Sequence, residues 1–120
     1  MSRSAATFMV ASPLDAPECV VVAQGEIDIA TTPELRDLLR AELAASPEKL
    51  IIDMAEVSFI DSSGLSELIV AFKAGQAAGT DVVLRNPGQR VRFVLEVSGL
   101  NGVLAVVPES TNGATAFGCT

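Results

Sequence analysis

The chain has 120 residues, 49% hydrophobic and 19% charged, with 15 acidic against 8 basic side chains and a net charge of −7. That length and apolar content fit one folded domain with a real core and exclude a disordered chain. The acidity, with no Trp or Tyr and only five Phe, argues against nucleic acid as a partner, because phosphate and base recognition need clustered cations and aromatic platforms.

No apolar run approaches the roughly 20 residues needed to span a bilayer, so no membrane segment is expected. The start, Met1-Ser2-Arg3-Ser4-Ala5-Ala6, lacks the apolar centre of a signal peptide, and a cytoplasmic location is the expectation. Cys19 and Cys119 are distant, form no CxxC pair and have no His to join them. A disulfide framework, a zinc site or another metal or cofactor is therefore not expected.

Taken in order, residues 7–12 are the first strand candidate, followed by a turn over residues 13–17. Residues 19–24, with Val20-Val21-Val22, predict a stronger strand ending near Gly25. A loop from Gly25 to Ala30 then leads to Thr32, expected as a helix N-cap with Pro33 at the first helical position. Leu35, Leu38, Leu39 and Leu43 follow at helical spacing, and the helix should stop near Ser46-Pro47. Residues 50–54 read as a short strand buried on both faces, as parallel strands are.

Val57-Ser58-Phe59-Ile60 leads into Asp61-Ser62-Ser63-Gly64, after which Leu65, Leu68, Ile69, Ala71 and Phe72 mark the inner side of a second helix fading at Gly75 or Gly79. Val82-Val83-Leu84 predicts the next strand, and Asn86-Pro87-Gly88 turns into a third helix. Val91, Phe93, Val94 and Leu95 are its apolar residues, and Arg90, Arg92 and Glu96 its wet ones. A last strand over residues 103–107 precedes a tail, residues 108–120, rich in Gly, Thr, Ser and Ala and expected to be mobile. Strands alternating with helices imply a small α/β domain over residues 1–107: a central mixed sheet of four to five strands, mostly parallel with right-handed crossovers, covered by about three to four helices. The first strands are expected to add an antiparallel edge.

Asp61-Ser62-Ser63-Gly64 carries the chemistry. Two hydroxyls at a helix N-terminus sit where backbone N–H groups and the helix dipole favour negative charge, which makes them candidate phosphate acceptors. Asp61 and Ser62 are equally good helix caps, and both roles can hold at once. A serine hydrolase is excluded by inventory: there is no His to serve as base and no Gly-x-Ser-x-Gly elbow. No Gly-x-x-x-x-Gly-Lys loop or Gly-x-Gly-x-x-Gly fingerprint is present either. The chain reads as a binding module rather than an enzyme. Arg85, Arg90 and Arg92 are too few for a basic patch and read as a solvated helix face.

Gly25-Glu26-Ile27-Asp28, the strand 50–53 and Phe59-Ile60-Asp61-Ser62-Ser63-Gly64-Leu65, in that order, resemble the STAS domain of bacterial anti-sigma factor antagonists. Val97-Ser98-Gly99-Leu100 also fits, so the resemblance covers roughly residues 7–107. It implies a partner-switching regulator of transcription. The unphosphorylated protein would bind an anti-sigma factor serine kinase and free a sigma factor, the kinase would phosphorylate the turn and be released, and a phosphatase would reset it. By position in the motif the acceptor is Ser63, with Ser62 helping to fix the turn. The partner-binding residues it implies are Asp28, Asp61, Ser62, Ser63, Gly64, Leu65, Ser66 and Glu67. Asp28 can equally be a turn acid that satisfies backbone donors. Glu67 gains from the helix dipole with or without a partner, and helical period sends Leu65 and Leu68 towards the core. Ser66 departs from the small Gly or Ala common there. The alternative is a STAS adaptor subunit of a transport or multiprotein assembly with no phosphoswitch; a small-molecule sensor has no polar pocket signature to support it.

Overall fold

The β-branched and aliphatic runs pair into one sheet, and the amphipathic segments between them lie on it. The computed structural model describes residues 6–11, 18–99 and 105–107. Among these are β1 (Ala6–Val10), β2 (Glu18–Ile27), α1 (Thr32–Ala44), β3 (Lys49–Ile60), α2 (Ser62–Ala78), β4 (Asp81–Arg85), α3 (Gln89–Val97) and β5 (Ala105–Val107). The sheet order is β1-β2-β3-β4-β5, with β1 antiparallel to β2 and every later pair parallel.

Because each crossover steps to the next strand in the same direction, right-handed connections lay α1, α2 and α3 on the same face. One apolar cluster accordingly joins Val21, Leu50, Ile52 and Leu84 of the sheet to Leu35 and Leu39 of α1, Leu65 and Leu68 of α2, and Val91 and Leu95 of α3. The opposite face carries a separate strip of Val20, Ile51 and Val83. It is continued by the ion pair of Arg85 with Asp53, Nη2 to Oδ2 at 2.8 Å, between register partners on β4 and β3. The middle of β3 is thus buried on both sides, as its apolar run requires. None of the described helices is long and apolar enough to cross a membrane.

Several boundaries differ from the sequence expectation. β2 runs through Gly25, expected as loop, to Ile27, and β3 continues from Met54 to Ile60. Register shifts between Val22 and Gln24 and between Gly25 and Glu26 break the alternation there, so polar residues enter a strand without a period-2 pattern to announce it. The N-cap of α1 is Thr31 rather than Thr32, because the turn begun by Asp28 already holds the amides of Thr31 and Thr32 on the Asp28 carbonyl at 3.0 and 2.9 Å. Phe93 lies outside the core, 65% exposed. It is two residues from Val91, some 200° around the helix, while Val91 and Leu95 form the buried edge. Arg85 is a strand residue paired to Asp53, so it leaves the expected set, while Arg90 and Arg92 are both exposed on α3, Arg92 donating to the Pro87 carbonyl at 3.1 Å. The turn at residues 13–17, residues 103–104 of the last strand, Leu100, Cys119 and the tail 108–120 lie outside the described residues. Cys19 is a buried strand thiol whose Sγ donates to Glu42 Oε1 at 3.1 Å.

α2 meets β4 at Gly75, where a Cβ would lie 2.5 Å from Val82 Cγ2 and 2.8 Å from the Thr80 carbonyl oxygen. Alanine there gains up to about 1 kcal/mol in helix propensity but must push against backbone, an overpacking cost of about 1–3 kcal/mol. Gly75→Ala is expected to lower the urea midpoint of unfolding, whereas Gln76→Ala, exposed on the same helix, should leave it in place.

Candidate functional site

The C-terminal ends of β2 and β3 lie side by side, with Ile27 opposite Ile60, and both chains turn there into helices. The Asp61 amide donates to the Ile27 carbonyl at 3.1 Å, which ties the Asp28 loop to the Asp61 turn by main chain alone. Parallel pairing therefore brings together two acids separated by more than thirty positions in sequence. Each acid is then consumed locally. Asp28 Oδ1 accepts from the amides of Ala30 at 2.9 Å and Thr31 at 3.2 Å. Thr31 Oγ1 accepts from the Asp28 amide and donates to the Glu26 carbonyl, both at 2.9 Å. The turn role considered for Asp28 is real.

Asp61 is the N-cap of α2, in extended conformation. Its Oδ1 accepts from the Ser63 amide at 2.9 Å, the Gly64 amide at 3.2 Å and the Ser63 hydroxyl at 2.6 Å. A carboxylate only accepts, so the hydroxyl proton of Ser63 points at Asp61 and both oxygen lone pairs remain available to an electrophile. Ser62 is the first helical residue, exposed, and its carbonyl accepts from Ser66 Oγ at 2.9 Å. Ser63 is half-buried on the turn. The amides of Ser63 and Gly64, which sequence alone offers to an incoming anion, are already taken by Asp61.

Gly64 is where α2 touches the strand ends: a Cβ would come within 2.7 Å of both Ile27 Cγ2 and Ile60 Cγ1. The helix N-terminus can sit this low only without a side chain there. Leu65, 7% exposed, packs into the core and has little surface to offer a partner. Ser66 is exposed. Glu67 lies beyond the first turn of α2, so its partner is not the helix dipole but Arg36 of α1, Nε to Oε2 at 3.1 Å. The outward set on this edge is thus Ser62, Ser63 and Ser66, with Asp28 and Asp61 as braces.

Sequence reasoning missed the apolar surface around the turn. Ile29, in the Asp28 loop, is 77% exposed, and Phe59, two residues before Asp61, is 41% exposed. Ile29 was legible as an apolar residue in a turn segment. Phe59 was hidden because the bulged register of β3 puts Val57 and Ile60 inside and both residues between them outside.

Comparison with known proteins follows the same segments. The model of the STAS domain family matches residues 9–112. The anti-sigma-B factor antagonist of Listeria monocytogenes is 31% identical over 98 residues, covering 80% of this chain and 86% of that one. The Bacillus subtilis protein of the same description is 32% identical over 89 residues, covering 74% and 81%. The crystal structure of an anti-sigma factor antagonist from Mycobacterium paratuberculosis superimposes with a TM-score of 0.76 at 33% identity, covering 93% of each chain.

Removing the cap should cost what a lost N-cap costs. Asp61→Ala is expected to destabilise the domain by about 1 kcal/mol in urea unfolding, while Asp61→Asn, which keeps an acceptor oxygen, should cost less.

Proposed function

The chain belongs to the family of STAS-domain anti-sigma factor antagonists, and from that membership we propose that its unphosphorylated form binds an anti-sigma factor that is also a serine kinase, freeing a sigma factor. Phosphorylation of Ser63 by that kinase ends the binding, and a phosphatase restores it. The protein acts in the cytoplasm as a binding module and substrate rather than as an enzyme, consistent with a sequence that has no His.

The observation that carries this reading is the 2.6 Å bond from Ser63 Oγ to Asp61 Oδ1. It holds the hydroxyl in one orientation at the edge of the domain with its lone pairs free. Phosphate adds a charge of about −1.5 to −2 and removes the donor hydrogen. A phosphoserine oxygen cannot stay beside the Asp61 carboxylate, since both are acceptors and both are negative. The side chain therefore rotates out over the exposed edge, and the partner meets bulk and charge where it met a hydroxyl. Because Asp61 keeps its two backbone donors, the fold does not have to change. Asp28 contributes by bracing its own loop, which the Asp61 amide ties to the turn through the Ile27 carbonyl.

The test is phosphate mapping by mass spectrometry after incubation with ATP and the cognate kinase. Ser63→Ala should lose the modification and keep kinase binding, Ser62→Ala should still be modified, and Ser63→Glu should bind poorly. Phosphate on the Ser63→Ala protein would transfer the assignment to Ser62. No modification of the unsubstituted protein, together with stable association in a larger assembly, would favour the adaptor reading.

A further inference from the structure

The only aromatic residues of the chain are five Phe, and among the described residues two of them, Phe59 and Phe93, are exposed, on the C-terminal side of β3 and the outer side of α3. Between them lies an open groove of about 510 Å³, walled by Phe59, Ile60, Phe93 and Val94 and rimmed by Gln89 and Arg90. A second lobe of about 430 Å³ shares Phe59, Gln89 and Arg90 and extends past Ser58 towards Glu26. The two lobes form one trough astride Phe59. Phe93 makes no demand on the fold, since Val91 and Leu95 bury the inner edge of α3. An apolar patch retained at that cost in solvation marks a contact surface.

One cation, Arg90, stands on the rim, while Glu26 lines the second lobe. Arg36, Arg85 and Arg92 bond to Glu67, Asp53 and the Pro87 carbonyl. Arg90 has no hydrogen-bond or ion-pair partner among the described residues, and its guanidinium is therefore free to receive a carboxylate at the mouth of the groove. The trough is also continuous with the turn. Ile60 is both its wall and the residue before Asp61, and the four residue steps from Phe59 to Ser63 span at most about 14 Å. A protein that reaches Ser63 therefore has the trough within its footprint. A second copy of this chain is a poor occupant, because each copy brings a net charge of −7.

We propose that the Phe59–Phe93 trough is a second docking point for the protein that engages Ser63, and that it receives a partner segment presenting one bulky apolar side chain beside a carboxylate. This rests on the reading of Ser63 as the kinase's substrate. The trough supplies affinity and the Asp61–Ser63 turn supplies the reacting group, so the trough governs how tightly the kinase holds its substrate and not how fast phosphate is transferred once held.

The experiment measures binding of the cognate kinase by calorimetry and phosphorylation of Ser63 at varied substrate concentration, using the full chain. Phe93→Ser and Arg90→Glu, both at exposed positions, should each raise Kd and KM about tenfold and leave kcat within about twofold. Met9→Thr, 49% exposed on the far edge strand β1, should change neither. Circular dichroism melts verify that the variants fold. Unchanged Kd and KM in both trough variants would overturn the proposal while leaving the Ser63 reading intact, and so would a loss confined to kcat. If the unsubstituted chain neither binds nor is phosphorylated, the Ser63 reading itself falls and the trough proposal with it. Two further outcomes would name a different occupant and overturn it: a concentration-dependent dimer broken by Phe93→Ser, or disappearance of the variants' effect when residues 108–120 are deleted.

Discussion

The geometry of the edge that carries Ser63 depends on Asp61. Its amide is held by the last carbonyl of β2, its side chain caps α2, and the same carboxylate oxygen orients the Ser63 hydroxyl. A single residue thus joins a strand end, a helix start and a reactive group. The constraint is tight because the helix comes down onto Ile27 and Ile60 with only Gly64 between them. The hydroxyl is consequently positioned by the sheet and not by a loop, and an orientation fixed by packed elements persists where a loop would wander.

This changes the physical picture of how negative charge is received. A helix N-terminus is a ready anion site only while its N–H groups are unspent. Here a carboxylate occupies the amides of Ser63 and Gly64, so phosphate on Ser63 would be expelled outward instead of being drawn in. On the proposed reading, outward expulsion suits a switch, because it would put the charge on the surface offered to the partner. The exposed apolar residues near that surface, Ile29, Phe59 and Phe93, give it the composition of an interface core with charged and polar residues at its rim.

The α/β alternation, the antiparallel edge and the parallel body were legible because long periodic segments such as 35–43 and 65–72 leave little choice of element. The Asp61 cap was legible too, from an acid and two serines placed between a strand and a helical period. What sequence did not reveal was set by register. The bulges opposite Val22–Glu26 extended β2 and β3 and turned Phe59 outward, and no local pattern encodes a bulge whose partner strand lies some thirty residues away. Phe93 was likewise read with its apolar neighbours because a nine-residue helix has room for only one narrow buried edge, Val91 and Leu95. Glu67 found an ion-pair partner on α1 that spacing within its own helix could not predict.

The central claim is that phosphate on Ser63 acts at the surface and leaves the domain beneath unchanged. Amide hydrogen exchange of the phosphorylated and unphosphorylated protein, compared residue by residue, addresses it most directly. The account predicts changes confined to the Asp28–Thr31 loop and the first turn of α2, with protection in β2, β3 and β4 unaltered. Loss of protection across those central strands would contradict it and make the switch a change of fold stability instead.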